Sequence, residues 1–290
     1  MNNNSSKITF SKPFFTIPQQ IAQLKSRGML FDNEEKAAHY LENLNYYRLS
    51  GYWLIFEKNH ATHEFKDGTT FKRVIDYYVF DRELRLLMLD AIERIEVSVR
   101  SRLTYELSQK YGSHPHLNCT IFHPLIAYTK TLTKLKSEID RGKEPFLKHF
   151  KDKYREELPP LWASVDLMSL GQVSNWFSCI KHRQDRQLIA KHYELDETIL
   201  VSFLHHLTII RNICAHHGVL WNKTLTVELK IPKKYESNYN TVQRKKLFNT
   251  FVMIEHLLRI ISPTNSWSQK LSELIKKYDI DTSMMGYKDA

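Results

Sequence analysis

The residues best suited to acid–base chemistry lie at the end of an apolar segment, in the order Arg211-Asn212-Ile213-Cys214-Ala215-His216. Histidine titrates near neutral pH and can accept or donate a proton, and arginine can stabilise negative charge on a phosphodiester. Asn212 and His216 are four residues apart, so on a helix the amide can orient the imidazole. We interpret Arg211, Asn212 and His216 as catalytic candidates, with His217 in a supporting role.

These groups favour cleavage of RNA without a metal ion. His216 would assist attack by the 2′-hydroxyl while Arg211 stabilises the phosphorane, which leaves a 2′,3′-cyclic phosphate. DNA lacks the attacking hydroxyl. Because Arg211 and His216 lie about 140° apart around a helix, they converge only through the long arginine side chain, a distorted helix end or a second subunit. The spacing therefore favours a site in a homodimer.

A metal site is the main chemical alternative for the histidines. His206 and His216 would lie about 15 Å apart along one helix, and the side chains of His216 and His217 diverge by about 100°. No carboxylate lies nearby in the sequence, so we expect neither a metal ion nor another cofactor. A histidine that only satisfies hydrogen bonds in the core is the remaining alternative.

The charge of the chain favours polyanionic partners. Its 290 residues include 42 Lys and Arg against 32 Asp and Glu, a formal net charge of +10. Net charge alone identifies no partner, and clustering is more informative. Two basic stretches, 181–191 and 226–246, are candidate phosphate-facing surfaces. The residues in them that we predict to contact RNA are Lys181, Arg183, Arg186, Lys230, Lys233, Lys234, Arg244, Lys245 and Lys246.

Cysteine use and the N-terminal sequence bear on the cellular compartment. Cys119, Cys179 and Cys214 show no CxxC or Cys/His ligand spacing, which fits a reducing compartment better than a disulfide framework. The polar N-terminus has no apolar export segment, and no run of about 18 apolar residues could span a membrane. We therefore expect a cytoplasmic protein with no membrane partner.

The elements that must position these residues are predicted to be helices. Apolar residues recur every three or four positions from Phe71 to Tyr111, as one helix or as two joined near Asp81, and again from Leu200 to Cys214. The second of these helices has a core face and an opposite face that the core does not need. That opposite face carries His205, Ile209, Asn212 and His216. Further helical patterns cover 19–27, a segment beginning at Glu34, 122–150, 162–181, 251–261 and 271–278, while 225–231 could form an edge strand or an extended arm.

Three segments are predicted along the chain: a flexible leader over 1–12, a helical and aromatic subdomain over 13–65, and a helical core over 66–290. The aromatic cluster from Asn45 to Trp53 is either a packing joint or a surface that stacks on exposed bases. Glu96 and Arg100 are four residues apart and can pair on a helix. They are either an ordinary surface pair or a support for the catalytic candidates.

Beyond these patterns, the chain resembles a known family. Arg211 to His216 is similar to the HEPN motif, in which a polar residue follows an Arg, and a His follows after four to six intervening residues. The segment from Lys12-Pro13 to Gly51-Tyr52-Trp53 and the later segments 80–85, 94–96 and 211–222 (RNICAHHGVLWN) resemble the abortive-infection (Abi) D/F-type proteins over most of the chain.

The resemblance implies a mainly α protein: a HEPN-like helical bundle with an N-terminal helical extension and little or no β. It also implies dimerisation, antiviral defence or a toxin-like role, and association with a small non-coding RNA. Three functions remain open on the sequence: a HEPN-type endoribonuclease effector, a noncatalytic RNA-binding protein, and a helical protein-interaction module.

Overall fold

The computed structural model describes residues 9, 11 and 13–288 and is mainly helical, with 67% helix and 3% strand. The predicted mainly α class is therefore confirmed, and its HEPN-like arrangement stays a prediction. The leader predicted over 1–12 lies outside the described residues except at Thr9 and Ser11. The chain divides into two compact units, Met1–Phe80 and Asp81–Ala290.

The first unit consists of short helices and a small hairpin. A capping box between Thr16 and Gln19 begins its first helix, and Gly28, with φ of 94°, follows the end. The Asn33 side chain accepts a hydrogen bond from the Lys36 amide at 2.8 Å and so caps the next helix. The elements are α1 (Ile17–Ser26), α2 (Glu34–Leu44), α3 (Tyr46–Trp53), β1 (Glu57–Asn59) and β2 (Glu64–Phe65).

A single helix, α4 (Phe71–Tyr111), covers the long apolar pattern without a break at Asp81. Its side chains at the predicted core positions Leu84, Met88, Ile95 and Val99 are fully buried. Their three-to-four-residue spacing places these side chains on one face of the helix. Packing of this face in the core supports one continuous helix, although polar residues occupy its other face. Of the two predicted alternatives for residues 71–111, the single helix is therefore confirmed.

The second unit is built from further helices that follow α4. Residues 122–150 form two helices rather than one irregular one, and 183–191, read from the sequence only as a basic stretch, is also a helix. The helices are α5 (Leu125–Arg141), α6 (Pro145–Lys153), α7 (Leu161–Ser164), α8 (Leu170–Cys179), α9 (Arg183–Lys191), α10 (Glu197–Ala215), α11 (Leu247–Ile261) and α12 (Trp267–Lys277).

Helix α10 packs against α8 and α9. Its predicted core face is fully buried, including Leu200, Phe203, Leu207 and Ile210. By length and composition alone α10 could also cross a bilayer, with a mean hydropathy of 1.3 in its most apolar window. Core helices pass the same test, and the burial of this face against neighbouring helices accounts for its apolar character.

The segment 225–231 is not a strand but an irregular arm with a bend at Thr226 and Val227. His206 of α10 holds it: the Nδ1 atom lies 3.1 Å from the Val227 carbonyl oxygen, and Nε2 lies 2.8 Å from the Thr250 hydroxyl. A carbonyl only accepts, so Nδ1 carries the proton and Nε2 accepts from Thr250. Burial lowers the pKa of His206 to about 4, which keeps the ring neutral. His206 therefore corresponds to the core-histidine alternative.

Candidate functional site

The candidate residues lie where α10 ends. His216 follows the last helical residue, and His217 adopts a left-handed conformation with φ of 57°. The His217 amide donates to the Cys214 carbonyl at 3.1 Å, and the Gly218 amide to the Ile213 carbonyl at 2.9 Å. These two bonds form a Schellman motif, which usually has glycine at the left-handed position. The chain therefore turns sharply immediately after the candidate histidine.

A buried ion pair fixes the loop that follows. Asp81 and Arg85, one turn apart on α4, are 0% and 4% exposed and pair with each other. The Asp81 carboxylate accepts from the amides of Leu220 at 3.2 Å and Trp221 at 2.8 Å, while Arg85 donates to the Gly218 carbonyl at 3.1 Å. The sequence alone predicted no role for these two residues. Their four-residue spacing was the available signal, but it does not reveal burial.

Arg211, Asn212, His216 and His217 are all exposed. The Asn212 side-chain oxygen accepts from Arg211 Nη1 at 3.4 Å, and the bond between His216 and Asn212 joins their backbones at 3.0 Å. The amide thus contacts the arginine rather than the imidazole. The catalytic roles themselves stay predictions.

Cys214, within the same motif, is a packing group. Its side chain is buried, and that burial raises the pKa of the thiol to about 12. The thiol therefore stays protonated and is a poor nucleophile.

The predicted supporting pair is close to Arg211. Arg100 pairs with Glu96 one turn away and also donates to the Met168 carbonyl. Burial raises the pKa of Glu96, and the positive charges of Arg100 and then Arg211 oppose that rise. The Arg211 charge thus acts on Glu96, and the supporting role of the Glu96–Arg100 pair stays a prediction.

A groove runs along the exposed face of α10. One cavity of about 560 Å³ lies between α8, α10 and the 225–231 arm, and it includes His205 and Lys230. A second cavity of about 370 Å³ includes Lys181 and shares Lys230 with the first. We call the two together the α10 groove. Hydroxyl and amide side chains also line the groove, from Ser174, Asn175, Ser178, Thr198 and Ser202. The carboxylates of Glu197 and Glu228, which pair with arginines, lie in its wall as well.

The α10 groove and the candidate residues share one face of the helix. At 100° per residue, Asn212 and His216 each fall about 20° from His205, on opposite sides of it, and so about 40° from each other. With a rise of 1.5 Å per residue, Asn212 lies about 10 Å beyond His205 along the axis. A chain that follows the groove along α10 would therefore reach Asn212 and His216.

The predicted RNA-contacting residues fall into two classes. Arg183 and Arg186 pair with Glu197, and Arg183 also with Asp196. Arg244 pairs with Glu228 at 3.4 Å. These arginines have carboxylate partners, which reduces the charge that they offer to a phosphate.

The lysines are more available. Lys181 and Lys230, far apart in sequence, meet at the α10 groove. Lys233, Lys234 and Lys245 are exposed, whereas Lys246 donates to the Asn222 carbonyl at 3.0 Å. Within the part of the chain that the structure describes, no group of three or more His, Cys, Asp or Glu side chains could hold a metal ion.

The family model of the Abi-like proteins matches residues 39–222, which include α4, the α10 groove except for the arm, and the Arg211 to His216 segment. The chain belongs to the Abi-like protein family. This membership confirms the predicted Abi family and indicates a role in abortive infection, a bacterial defence against phage. The HEPN motif of this Abi-like protein stays a prediction. No curated protein and no solved structure is significantly similar to the chain.

Proposed function

We propose that this Abi-like protein is a metal-independent endoribonuclease that acts in phage defence, with Arg211, Asn212 and His216 at its centre. The observation that carries the proposal is the α10 groove, which includes Lys181 and Lys230 and shares a helix face with Asn212 and His216. Lysine ammonium groups attract phosphates, and hydroxyl and amide groups can bond a ribose–phosphate backbone.

In the proposed reaction His216 takes the proton of the 2′-hydroxyl. The hydroxyl oxygen attacks the adjacent phosphorus, the bond to the 5′-oxygen breaks, and a 2′,3′-cyclic phosphate forms. Arg211 stabilises the charge on the phosphorane, and the Arg211–Asn212 hydrogen bond positions the guanidinium. The leaving oxygen needs a proton donor, which His217 or the His216 of a second copy supplies in a homodimer.

The decisive experiment is cleavage of total bacterial RNA with and without EDTA. We expect EDTA-resistant cleavage with cyclic phosphate ends, and a loss of about 10²- to 10⁴-fold in His216→Ala and in Arg211→Ala. His39→Ala and Arg94→Ala, which change exposed residues elsewhere, are the matched controls and should keep the wild-type rate. Loss of cleavage in EDTA would point to a metal and contradict the proposal.

RNA-binding measurements on the same protein distinguish the two alternative functions. Salt-dependent RNA binding by a folded wild type that cleaves nothing favours a noncatalytic RNA-binding protein, with a small non-coding RNA as its partner. An absence of any RNA binding favours a helical protein-interaction module. Light scattering after size exclusion tests the proposed homodimer.

A further inference from the structure

The first unit contains a cavity that the proposed cleavage does not use. Its volume is about 1050 Å³, and α1, α2, α3 and the segment before α1 line it. The cavity is large enough for a small organic ligand. Aromatic side chains supply much of its wall, from Phe14, Phe15, Tyr46, Tyr47 and Trp53.

Two of these aromatic rings are left in solvent. Phe14 is 87% exposed and Tyr47 is 85% exposed, although both line the cavity. Trp53 is buried, and Tyr46 packs edge-on against it with ring centroids 4.8 Å apart. The packing joint predicted for the 45–53 cluster therefore accounts for Trp53 and Tyr46 but not for Tyr47. Rings exposed at the rim of a cavity are typical of sites that stack a planar ligand.

The cavity also contains polar groups that are fixed in place. Arg27 Nη1 donates to the Tyr46 hydroxyl at 3.0 Å, and that hydroxyl donates to Gln23 Oε1 at 3.2 Å. The Glu57 carboxylate, 2% exposed, is 3.2 Å from Nδ1 of His63. Arg27 has five N–H donors, so the bond to Tyr46 leaves capacity for an anionic group.

One buried acceptor in the cavity wall has no partner within the described residues. Gln20 donates from its amide nitrogen to the Phe15 carbonyl at 2.9 Å, which fixes the amide orientation, and its Oε1 is buried without a hydrogen bond. A buried acceptor without a partner is costly, and such atoms usually bond a ligand or water. Gln20 lines this cavity. A ligand with an N–H donor would satisfy this oxygen once a movement of the Gln20 side chain exposes it to the cavity.

We propose that this cavity binds a nucleobase with its phosphate. The base stacks on Tyr47 and Phe14, an amino or ring N–H group of the base donates to Gln20 Oε1, and Arg27 binds the phosphate. The ligand is a free nucleotide or one residue of an RNA strand, since both have this chemistry. The site is independent of cleavage at α10 and can exist whether or not that proposal holds.

Calorimetric titration of the full chain with AMP, CMP, GMP and UMP, with the matching nucleosides, and with an eight-residue oligoribonucleotide tests the proposal. We expect Tyr47→Ala to weaken nucleotide binding about 5- to 150-fold, the range for one stacked base. Arg27→Gln should weaken nucleotides more than nucleosides. Tyr105→Ala, which removes another exposed tyrosine outside the cavity, is the matched control and should change nothing.

A second titration distinguishes a free nucleotide from a base within an RNA strand. The oligonucleotide is titrated into the Lys181→Gln, Lys230→Gln double variant, in which RNA binding at the α10 groove is weakened. Mononucleotide binding that Tyr47→Ala weakens identifies a free nucleotide. Oligonucleotide binding alone, with the same sensitivity, identifies a base in a strand. The proposal would be overturned if none of these probes binds. It would also be overturned if neither Tyr47→Ala nor Phe14→Ala changes the affinity. Binding of a tryptophan-containing peptide in place of nucleotides would also overturn it.

Discussion

The two faces of α10 place histidine in opposite environments. On the buried side, His206 bonds the 225–231 arm and Thr250, and burial lowers its pKa to about 4. On the solvent side, His205 lies in the α10 groove and His216 ends the helix in the open. Adjacent residues in the sequence thus have unrelated roles, because successive side chains on a helix differ by about 100° in direction. The number of histidines therefore does not separate a packed histidine from an exposed one, whereas the helix face on which each lies does.

Two ion pairs of α4 also differ in burial although they have the same spacing. Asp81–Arg85 is buried and holds the loop after α10, whereas Asp90–Arg94, with the same spacing, is exposed to 47% and 41%. A buried charge that loses its partner is destabilising by about 3–5 kcal/mol, and an exposed pair contributes about 0–1 kcal/mol. The buried pair is therefore the stronger constraint on the candidate site.

The largest effect is expected from Asp81→Ala. It leaves the Arg85 charge without its carboxylate and removes the acceptor of the Leu220 and Trp221 amides, so the free energy of unfolding should fall by about 3–5 kcal/mol. Urea denaturation measures this difference. Asp90→Ala is the matched control and should change stability by less than about 1 kcal/mol. Equal effects of the two substitutions would mean that the Asp81 network does not hold the loop.

The next effect is acid destabilisation through the buried histidines. Burial lowers the pKa of His116 and of His206 to about 4, against 6.5 for the ordinary side chain. Between pH 6.5 and about pH 4 these histidines are protonated in the unfolded chain but stay neutral in the folded chain. The free energy of unfolding is therefore highest above pH 6.5 and falls as the pH is lowered to about 4. Each histidine should lower the free energy of unfolding by about 2 kcal/mol between pH 7 and pH 5.

Urea denaturation at several pH values checks this window. His206→Gln removes one titrating group and should reduce the acid-side slope, although it also lowers stability at pH 7 through lost hydrogen bonds. His205→Gln, which changes the neighbouring histidine on the exposed face, is the matched control. An unchanged slope in His206→Gln would show that His206 is not the group that titrates.

A smaller effect is expected at the α10 groove. Lys181→Gln with Lys230→Gln should weaken RNA binding on the order of tenfold at 0.15 M salt and reduce the salt slope by about 1.4, at about 0.7 per phosphate contact. Binding isotherms at four salt concentrations give both quantities. Arg183→Gln with Arg244→Gln is the matched control, since these arginines already pair with carboxylates, and it should change the slope less. Equal slopes for the two double variants would contradict a specific role for the groove.

An effect of similar size is expected at His217. Its left-handed backbone disfavours a β-branched side chain, so His217→Val should lower the free energy of unfolding by about 1–2 kcal/mol, whereas His217→Asn should be better tolerated. Thermal unfolding separates the two variants. Cleavage by His217→Asn at the wild-type rate would assign the leaving-group proton to another residue, such as the His216 of a second copy.

The sequence by itself determined the helical class, the core face of α10 and the exposed face that carries His205, Asn212 and His216. These follow from apolar spacing, which is a local property of the chain. The Arg211 to His216 segment was likewise visible as residue types at short spacing. The family resemblance was also carried by short local segments, including the one that contains Asp81 and Arg85.

Only the tertiary structure decided which charged groups are available. It paired Arg183 and Arg186 with Glu197, buried Asp81 beneath the loop after α10, and brought Lys181 and Lys230 together at one groove. Burial and pairing depend on segments distant in sequence, and desolvation changes the energy of a charge far more than its neighbours along the chain do. For that physical reason, residue type and spacing predicted the candidate site, whereas long-range packing determined its electrostatics.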